Sequence, residues 1–85
     1  HPQEGPREGE AAGQTQTAAR AYLDAFSGAP QGPFAPPALL GLADSLGKLG
    51  KSREACLTLI EVSTRFPGSE AAAAAPGRRA ALACQ

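Results

Sequence analysis

Two apolar stripes with the period of an α-helix lie between Ala35 and Pro67, and a very short turn joins them. The residues of the first stripe are Leu39, Leu42, Leu46 and Leu49, and those of the second are Ala55, Leu59, Val62 and Phe66. In the turn, Gly50 can take the left-handed conformation that ends a helix, and Ser52 can cap the next helix. Two helices so closely joined must fold back on each other, so the segment predicts an antiparallel helical hairpin.

Small residues at the crossing point of this hairpin let the two helices pack closely. Ala43 and Ala55 are expected on facing sides, near the turn. A small side chain on each side allows the helix axes to approach to about 8–10 Å. Pro67 is expected to end the second helix, because proline disfavours helical geometry in the residue before it.

A further helix is predicted upstream, and it repeats the second helix of the hairpin. Gly28 and Pro30 are expected to end it, and Thr15 or Thr17 to cap its start. A shift of 37 residues, the interval from Ala18 to Ala55, aligns the two helices. It places Ala18 on Ala55, Tyr22 on Leu59, Leu23 on Ile60, Asp24 on Glu61, Ala25 on Val62 and Pro30 on Pro67. A fixed offset of this kind indicates an internal repeat.

The last predicted helix covers Ser69 to Cys84. Ser69 is a suitable N-cap, and Pro76-Gly77 should kink or break the helix as it closes the array. The fold class is therefore all-α, with residues 1–13 a disordered tail and residues 14–85 one domain. Its helices are expected at about 15–27, 35–49, 52–66 and 69–84.

The hairpin resembles the tetratricopeptide (TPR) repeat. The resemblance rests on Leu39, Leu42, Ala43 and Leu46, followed by Gly50, Ala55 and Pro67. A TPR is about 34 residues long, and the surplus in the 37-residue period fits into the inter-repeat turns. The resemblance implies a fragment of an α-solenoid built from helical hairpins.

A particular family of TPR proteins is also similar. Residues 53–72 (REACLTLIEVSTRFPGSEAA), 21–26 (AYLDAF) and 30–39 (PQGPFAPPAL), with an Ala/Arg-rich end, resemble the C-terminal region of the periplasmic cell-division coordinator of the Tol-Pal system, the YbgF/CpoB family. The resemblance implies a periplasmic module that binds a TolA-like protein and links envelope constriction to peptidoglycan synthesis. The alternative is a structural or oligomerising module of another secreted or envelope protein.

The chain begins at His1 rather than Met, and we expect it to be a processed or cut piece of a longer protein. The family's coiled coil and the helix that should pair with residues 14–27 are not recognisable in it. We therefore expect that helix, which carries Tyr22, Leu23 and Phe26, to form a homodimer or to exchange between chains. The alternative is an exposed apolar patch.

Composition excludes several classes of function. The formal net charge is zero, so no electrostatic footprint for nucleic acid is present, and no apolar run approaches the length of a transmembrane helix. The single histidine, His1, has no partner nearby, and the serines have no histidine to activate them. The sequence predicts no catalytic site, no metal site and no cofactor, hence a protein that is not an enzyme.

The two cysteines are expected to form a disulfide. Cys56 lies early on the second hairpin helix, and the final helix must pack on that hairpin and can bring Cys84 alongside. Such a bridge would indicate an oxidising compartment such as the periplasm. The alternative is a pair of buried free thiols.

The predicted partner-binding surface is the stripe of Leu40, Asp44 and Lys48, with Gly47 permitting close approach. One apolar side chain and one charge of each sign suit a segment laid in a groove. Exchanging the two charges should weaken binding with little effect on the melting temperature. In the alternative, Leu40 packs on the neighbouring repeat and the charges are merely solvated.

Overall fold

The computed structural model describes residues 8–84, which form four α-helices and no strand. The helices are α1 (Glu8–Gly28), α2 (Ala35–Lys48), α3 (Ser52–Arg65) and α4 (Glu70–Ala81). Each helix packs on the next one along the chain, and α4 also packs on α2. Helix α2 is therefore the centre of the fold, and the predicted all-α, repeat-like architecture is confirmed.

The internal repeat is visible in the positions of the helices. Helix α1 ends at Gly28 and α3 at Arg65, the same interval of 37 residues that aligns their sequences. In the helices that follow, Ala38 and Ala75 stand at equivalent positions, and both are buried. The repeat in the sequence thus corresponds to a repeat in structure.

The core is thin and rich in alanine. Its buried cluster consists of Leu39, Ala43, Leu59, Val62, Ala71 and Ala75. Of the four leucines in the predicted stripe Leu39, Leu42, Leu46 and Leu49, only Leu39 is buried, and the other three are half-buried. The alanines Ala35, Ala38 and Ala43 of α2 are also buried. Because helices with alanine at the contact approach closely, longer side chains are displaced to the edges.

The turn between α2 and α3 ends the first helix as predicted. Gly50 has a φ of +82°, and the N–H of Lys51 donates to the carbonyl of Leu46 at 2.9 Å. This is the Schellman arrangement, which satisfies carbonyls left free at a helix C-terminus. The role predicted for Ser52 is wrong: Lys51 is the N-cap of α3, and no side chain caps this helix.

The turn between α3 and α4 has the features of a type II β-turn. Pro67 and Gly68 occupy its centre, Gly68 has a φ of +84°, and the N–H of Ser69 donates to the carbonyl of Phe66 at 3.2 Å. The Ser69 hydroxyl oxygen accepts from the N–H of Ala72 at 3.0 Å, so Ser69 is the N-cap of α4 as predicted.

The end of the chain departs from expectation. Helix α4 is not broken at Pro76: it continues through this exposed proline and ends at Ala81, short of Cys84. Ala83 then takes a positive φ of 56°, and the N–H of Cys84 donates to the carbonyl of Arg79 at 2.9 Å. A second Schellman arrangement, here without glycine, therefore turns the chain back after α4.

The start of α1 also departs from expectation. The helix begins at Glu8, so the predicted disorder of residues 1–13 is wrong from Glu8 onwards, and residues 1–7 lie outside the described part. Glutamate and alanine favour helix, and no proline follows until Pro30. The Thr17 hydroxyl donates to the carbonyl of Gly13 at 3.1 Å, so Thr17 lies inside the helix and does not cap it.

Candidate functional site

A disulfide fastens the end of the chain to α3. Cys56 and Cys84 are bonded, with their Cα atoms 5.8 Å apart and a sequence separation of 28, as predicted. The left-handed Ala83 redirects the chain toward α3 immediately before Cys84. Stable disulfides are typical of proteins in oxidising compartments.

An apolar surface lies beside the disulfide. Leu57 and Ile60 of α3 are 57% and 42% exposed, and they border a cleft of about 320 Å³ that Leu82 and the disulfide also line. Arg53 stands at the same cleft and gives it a positive charge. This outer face of α3 was not identified from the sequence, although Ile60 has a counterpart in Leu23, which is similarly exposed.

The three residues predicted to bind a partner border two clefts: Leu40 lines one, and Asp44 and Lys48 line another. Leu40 is half-buried and packs against the core cluster, while Lys48 is exposed at the far end of α2. Asp44 is engaged within the protein: its Oδ2 accepts from Nη1 of Arg78 on α4 at 2.6 Å. The structure thus ties the central charge of the predicted stripe to the neighbouring helix.

Leu40 contributes instead to a cleft at the N-terminal ends of α2 and α4, here named the proline cleft. Its volume is about 480 Å³, and its lining residues are Pro33, Pro36, Pro37, Leu40, Ser69, Glu70, Ala71 and Ala74. Glu70 is the charged residue in this lining. The Ser69 hydroxyl is already committed to the cap of α4, so the carboxylate of Glu70 provides the cleft's electrostatic character.

Asp44 and Lys48 border a different cleft, between α1 and α2, here named the tyrosine cleft. Its volume is about 240 Å³, and its lining residues are Gln14, Thr15, Ala18, Tyr22, Gly41, Asp44, Ser45 and Lys48. Tyr22 is 39% exposed and its ring lies directly against Gly41. A Cβ added at Gly41 would lie only 2.5 Å from the ring, so a larger residue there would require the Tyr22 ring to move.

Sequence reasoning missed the proline cleft although its residues were visible. The sequence predicts a helix that starts at Ala35, next to Pro36 and Pro37, and α2 does start there. Proline at the first positions of a helix is common and carries no functional signal by itself. These prolines form one side of a cleft because they lie near α4 in the structure. A local sequence pattern cannot show that proximity.

Within residues 8–84, no group of three or more His, Cys, Asp or Glu side chains is arranged to hold a metal ion. No helix in this part of the chain is long and apolar enough to cross a membrane. The single histidine, His1, lies outside the described residues.

Comparison with protein-family models, with curated proteins and with solved structures finds no match for this chain. The resemblance to TPR proteins and to the Tol-Pal coordinator accordingly stays a prediction from the sequence. The helices and the disulfide are present in the structure itself.

Proposed function

We propose that this chain is a non-enzymatic protein-interaction module that binds a peptide segment in the proline cleft. The observation that carries the proposal is the cleft itself, which combines a mostly apolar lining, rich in proline, with one carboxylate. Apolar pockets with a few polar groups that fix orientation are typical of ligand sites. A helical array that presents such a cleft between successive hairpins suits recognition of a segment from another protein.

The lining of the cleft specifies the chemistry of the segment. Pro36 and Pro37 are rigid and lose little entropy when a ligand covers them, and Leu40 offers a contact for an apolar side chain. Glu70 stands at the edge with a negative charge. The expected ligand therefore carries a bulky apolar residue close to a lysine or arginine.

The resemblance to the Tol-Pal coordinator supports a specific partner and compartment. We propose a TolA-like protein as the partner, the periplasm as the location, and coordination of envelope constriction with peptidoglycan synthesis as the role. The disulfide between Cys56 and Cys84 supports an oxidising compartment.

A titration with the purified periplasmic part of a TolA-like protein tests this function. Glu70→Gln should weaken binding, because it removes the charge that orients the segment. Glu54→Gln is the matched control, since Glu54 also lies in the first turn of a helix, and both substitutions remove a carboxylate that stabilises a helix N-terminus. Equal affinities for the two variants and the unchanged protein would eliminate the proline cleft as the binding site.

A second function, self-association, is favoured by the exposed side of α1. Tyr22 and Leu23 are 39% and 38% exposed, and large apolar residues in one patch often mark an interface. A homodimer through α1 is then expected. Sedimentation that shows a monomer at high micromolar concentration would contradict it, and a saturable heterologous partner would distinguish the first function from this one.

A further inference from the structure

We propose that the Cys56–Cys84 disulfide is a site of thiol–disulfide exchange with a protein dithiol, which docks on the exposed apolar face of α3. The site is the cleft beside the bond, here named the disulfide cleft. Its lining residues are Ser52, Arg53, Cys56, Leu57, Ile60, Leu82, Ala83 and Cys84. This surface is distinct from the proline cleft, and the inference does not depend on the peptide-binding function.

The first step is that a thiol can reach the bond in the folded protein. Both Cys56 and Cys84 are half-buried, and both line the disulfide cleft, whose volume is about 320 Å³. Exchange requires that an attacking thiolate has access to a sulfur, whereas cysteines enclosed in a core are inert. This bond lies at the wall of an open cleft, so its exchange does not require the protein to unfold.

The second step is the apolar surface that surrounds the bond. Leu57 follows Cys56 directly and is 57% exposed, and Ile60 is 42% exposed on the same helix. Large apolar side chains exposed in one patch mark protein interfaces. Because a disulfide stands in the same lining, the partner that fits this patch is a protein that carries a dithiol beside an apolar surface.

The third step is the choice of the sulfur that is attacked. Arg53 precedes Cys56 by three residues on α3, a spacing that makes the two side chains neighbours, and both line the cleft. A cation beside a sulfur stabilises a departing thiolate. Cys84 lies beyond the end of α4, after the turn at Ala83. Cys56 is therefore the leaving sulfur, and Cys84 is the attacked one.

The exchange balances in two displacements. A thiolate of the dithiol attacks Sγ of Cys84, the bond to Cys56 breaks, and its electron pair leaves on Sγ of Cys56. The second thiolate of the partner then attacks the partner's own sulfur in this mixed disulfide, and Cys84 leaves as a thiolate. The two cysteine thiolates take up the two protons that the dithiol lost. This protein is reduced by two electrons, and the partner is oxidised to its disulfide.

The test compares the rates at which thioredoxin and dithiothreitol reduce the intact protein without denaturant. Free thiols in quenched samples are alkylated and counted by mass spectrometry. At equal thiolate concentration, thioredoxin is expected to act at least about tenfold faster, because docking raises the local concentration of its thiol. Equal rates, or rates that rise with urea in parallel with unfolding, would overturn the proposal.

Variants of the apolar face separate docking from the reactivity of the bond. Leu57→Gln combined with Ile60→Gln should slow thioredoxin by about three- to tenfold and leave dithiothreitol unaffected, since the small reagent needs no docking surface. Leu23→Gln is the matched control, because Leu23 is the repeat equivalent of Ile60, is 38% exposed and does not line the cleft. Equal effects of the two sets of substitutions on thioredoxin would eliminate α3 as the docking surface.

A charge variant tests which sulfur leaves. Arg53→Gln should slow both reagents by about two- to fivefold, because the thiolate at Cys56 loses its neighbouring cation. Lys51→Gln should have a smaller effect, since Lys51 is exposed and does not line the cleft. Equal effects of the two variants would contradict the role of Arg53.

A trapped intermediate locates the attacked sulfur directly. Thioredoxin that lacks its second cysteine should stop at the mixed disulfide, and alkylation then blocks the thiol that left. Trypsin separates residues 54–65, which carry Cys56, from residues 80–85, which carry Cys84. Thioredoxin is expected on the peptide of residues 80–85. Attachment mainly to residues 54–65 would overturn the assignment of Cys84 as the attacked sulfur.

Discussion

Asp44 of α2 and Arg78 of α4 form an ion pair across the repeat, with 2.6 Å between Oδ2 and Nη1. The two residues are 34 positions apart in the chain, so the pair fastens one helix to the equivalent helix of the following hairpin. The two side chains are 42% and 41% exposed. Solvent and salt therefore weaken the interaction between them.

The Asp44–Arg78 pair should contribute modestly to stability. A double-mutant cycle with Asp44→Ala and Arg78→Ala is expected to give a coupling energy of about 0.5–1 kcal/mol at low salt. The energy should fall toward zero at about 1 M salt. The Glu61–Arg65 pair on α3, also exposed, is the matched control and should give about 0.3–0.5 kcal/mol. No measurable coupling at low salt would contradict the finding.

Because of this ion pair, a charge reversal at Asp44 should also lower the melting temperature. Asp44→Lys would place a positive charge against Arg78 and should lower the melting temperature, in contrast to the negligible effect expected from the sequence alone. Lys48→Glu, at an exposed position, should have a smaller effect, due mainly to an unfavourable charge at the C-terminus of α2. Thermal unfolding followed by circular dichroism compares the two.

Loss of the Cys56–Cys84 disulfide should substantially lower the free energy of unfolding, because the hydrophobic core is small. The chain-entropy model gives about 3–4 kcal/mol for a loop of this length. Reductant should therefore lower the urea midpoint of the natural protein by a corresponding amount. The Cys56→Ser, Cys84→Ser double variant should start at the lower midpoint and show no response to reductant. An intact mass that reveals two free thiols in the native protein would contradict the bond.

A side chain introduced at Gly41 should destabilise the protein. A Cβ at this position would lie 2.5 Å from the Tyr22 ring, so Gly41→Ala is expected to destabilise the protein by about 1–3 kcal/mol through overpacking. Gly77→Ala in α4 is the control: nothing lies within 4 Å of an added Cβ there, and helix propensity should make it stabilising by about 0.5–1 kcal/mol.

Combining Gly41→Ala with Tyr22→Ala tests the cause of that loss. Removal of the ring should abolish the cost of the added methyl group and leave the helix-propensity gain of about 0.5–1 kcal/mol. An equal cost of Gly41→Ala in both backgrounds, measured by urea unfolding, would show that contact with Tyr22 is not its source.

Replacement of Ala83 by glycine should stabilise the protein. Its φ of 56° is a conformation in which a Cβ costs about 1 kcal/mol. Ala83→Gly is expected to raise the free energy of unfolding by about 0.5–1 kcal/mol, partly offset by greater freedom of the unfolded chain. Gly68→Ala, at a φ of +84°, is the reciprocal control and should destabilise the protein. A loss of stability in Ala83→Gly would contradict the prediction.

The local signals in the sequence predicted the elements well where one residue has one dominant role. Gly50 ends α2, Ser69 caps α4, and the stripe of Ala55, Leu59 and Val62 is buried. The signals failed where two local rules competed. At Pro76, a missing N–H should break the helix, but the surrounding alanines and the packing of Ala71 and Ala75 keep it continuous.

The clefts between helices could not be predicted from the sequence as the elements were. Leu40, Asp44 and Lys48 share one side of a helix. In the structure, Leu40 borders the proline cleft, whereas Asp44 and Lys48 border the tyrosine cleft and Asp44 also pairs with Arg78 of α4. The proline cleft and the outer face of α3 depend on which surfaces neighbouring helices cover. No window of adjacent residues contains that information.

By itself, the sequence determined four helices, their order, the internal repeat and the cysteine pair, because helix period, turn glycines and a fixed offset of 37 residues are local or periodic properties. Only the tertiary structure decided that Asp44 pairs with Arg78 and that alanines of α2 and α4 share the buried centre with Leu39, Leu59 and Val62. These outcomes depend on the distance and crossing of helices far apart in the chain, which packing of side chains against each other sets.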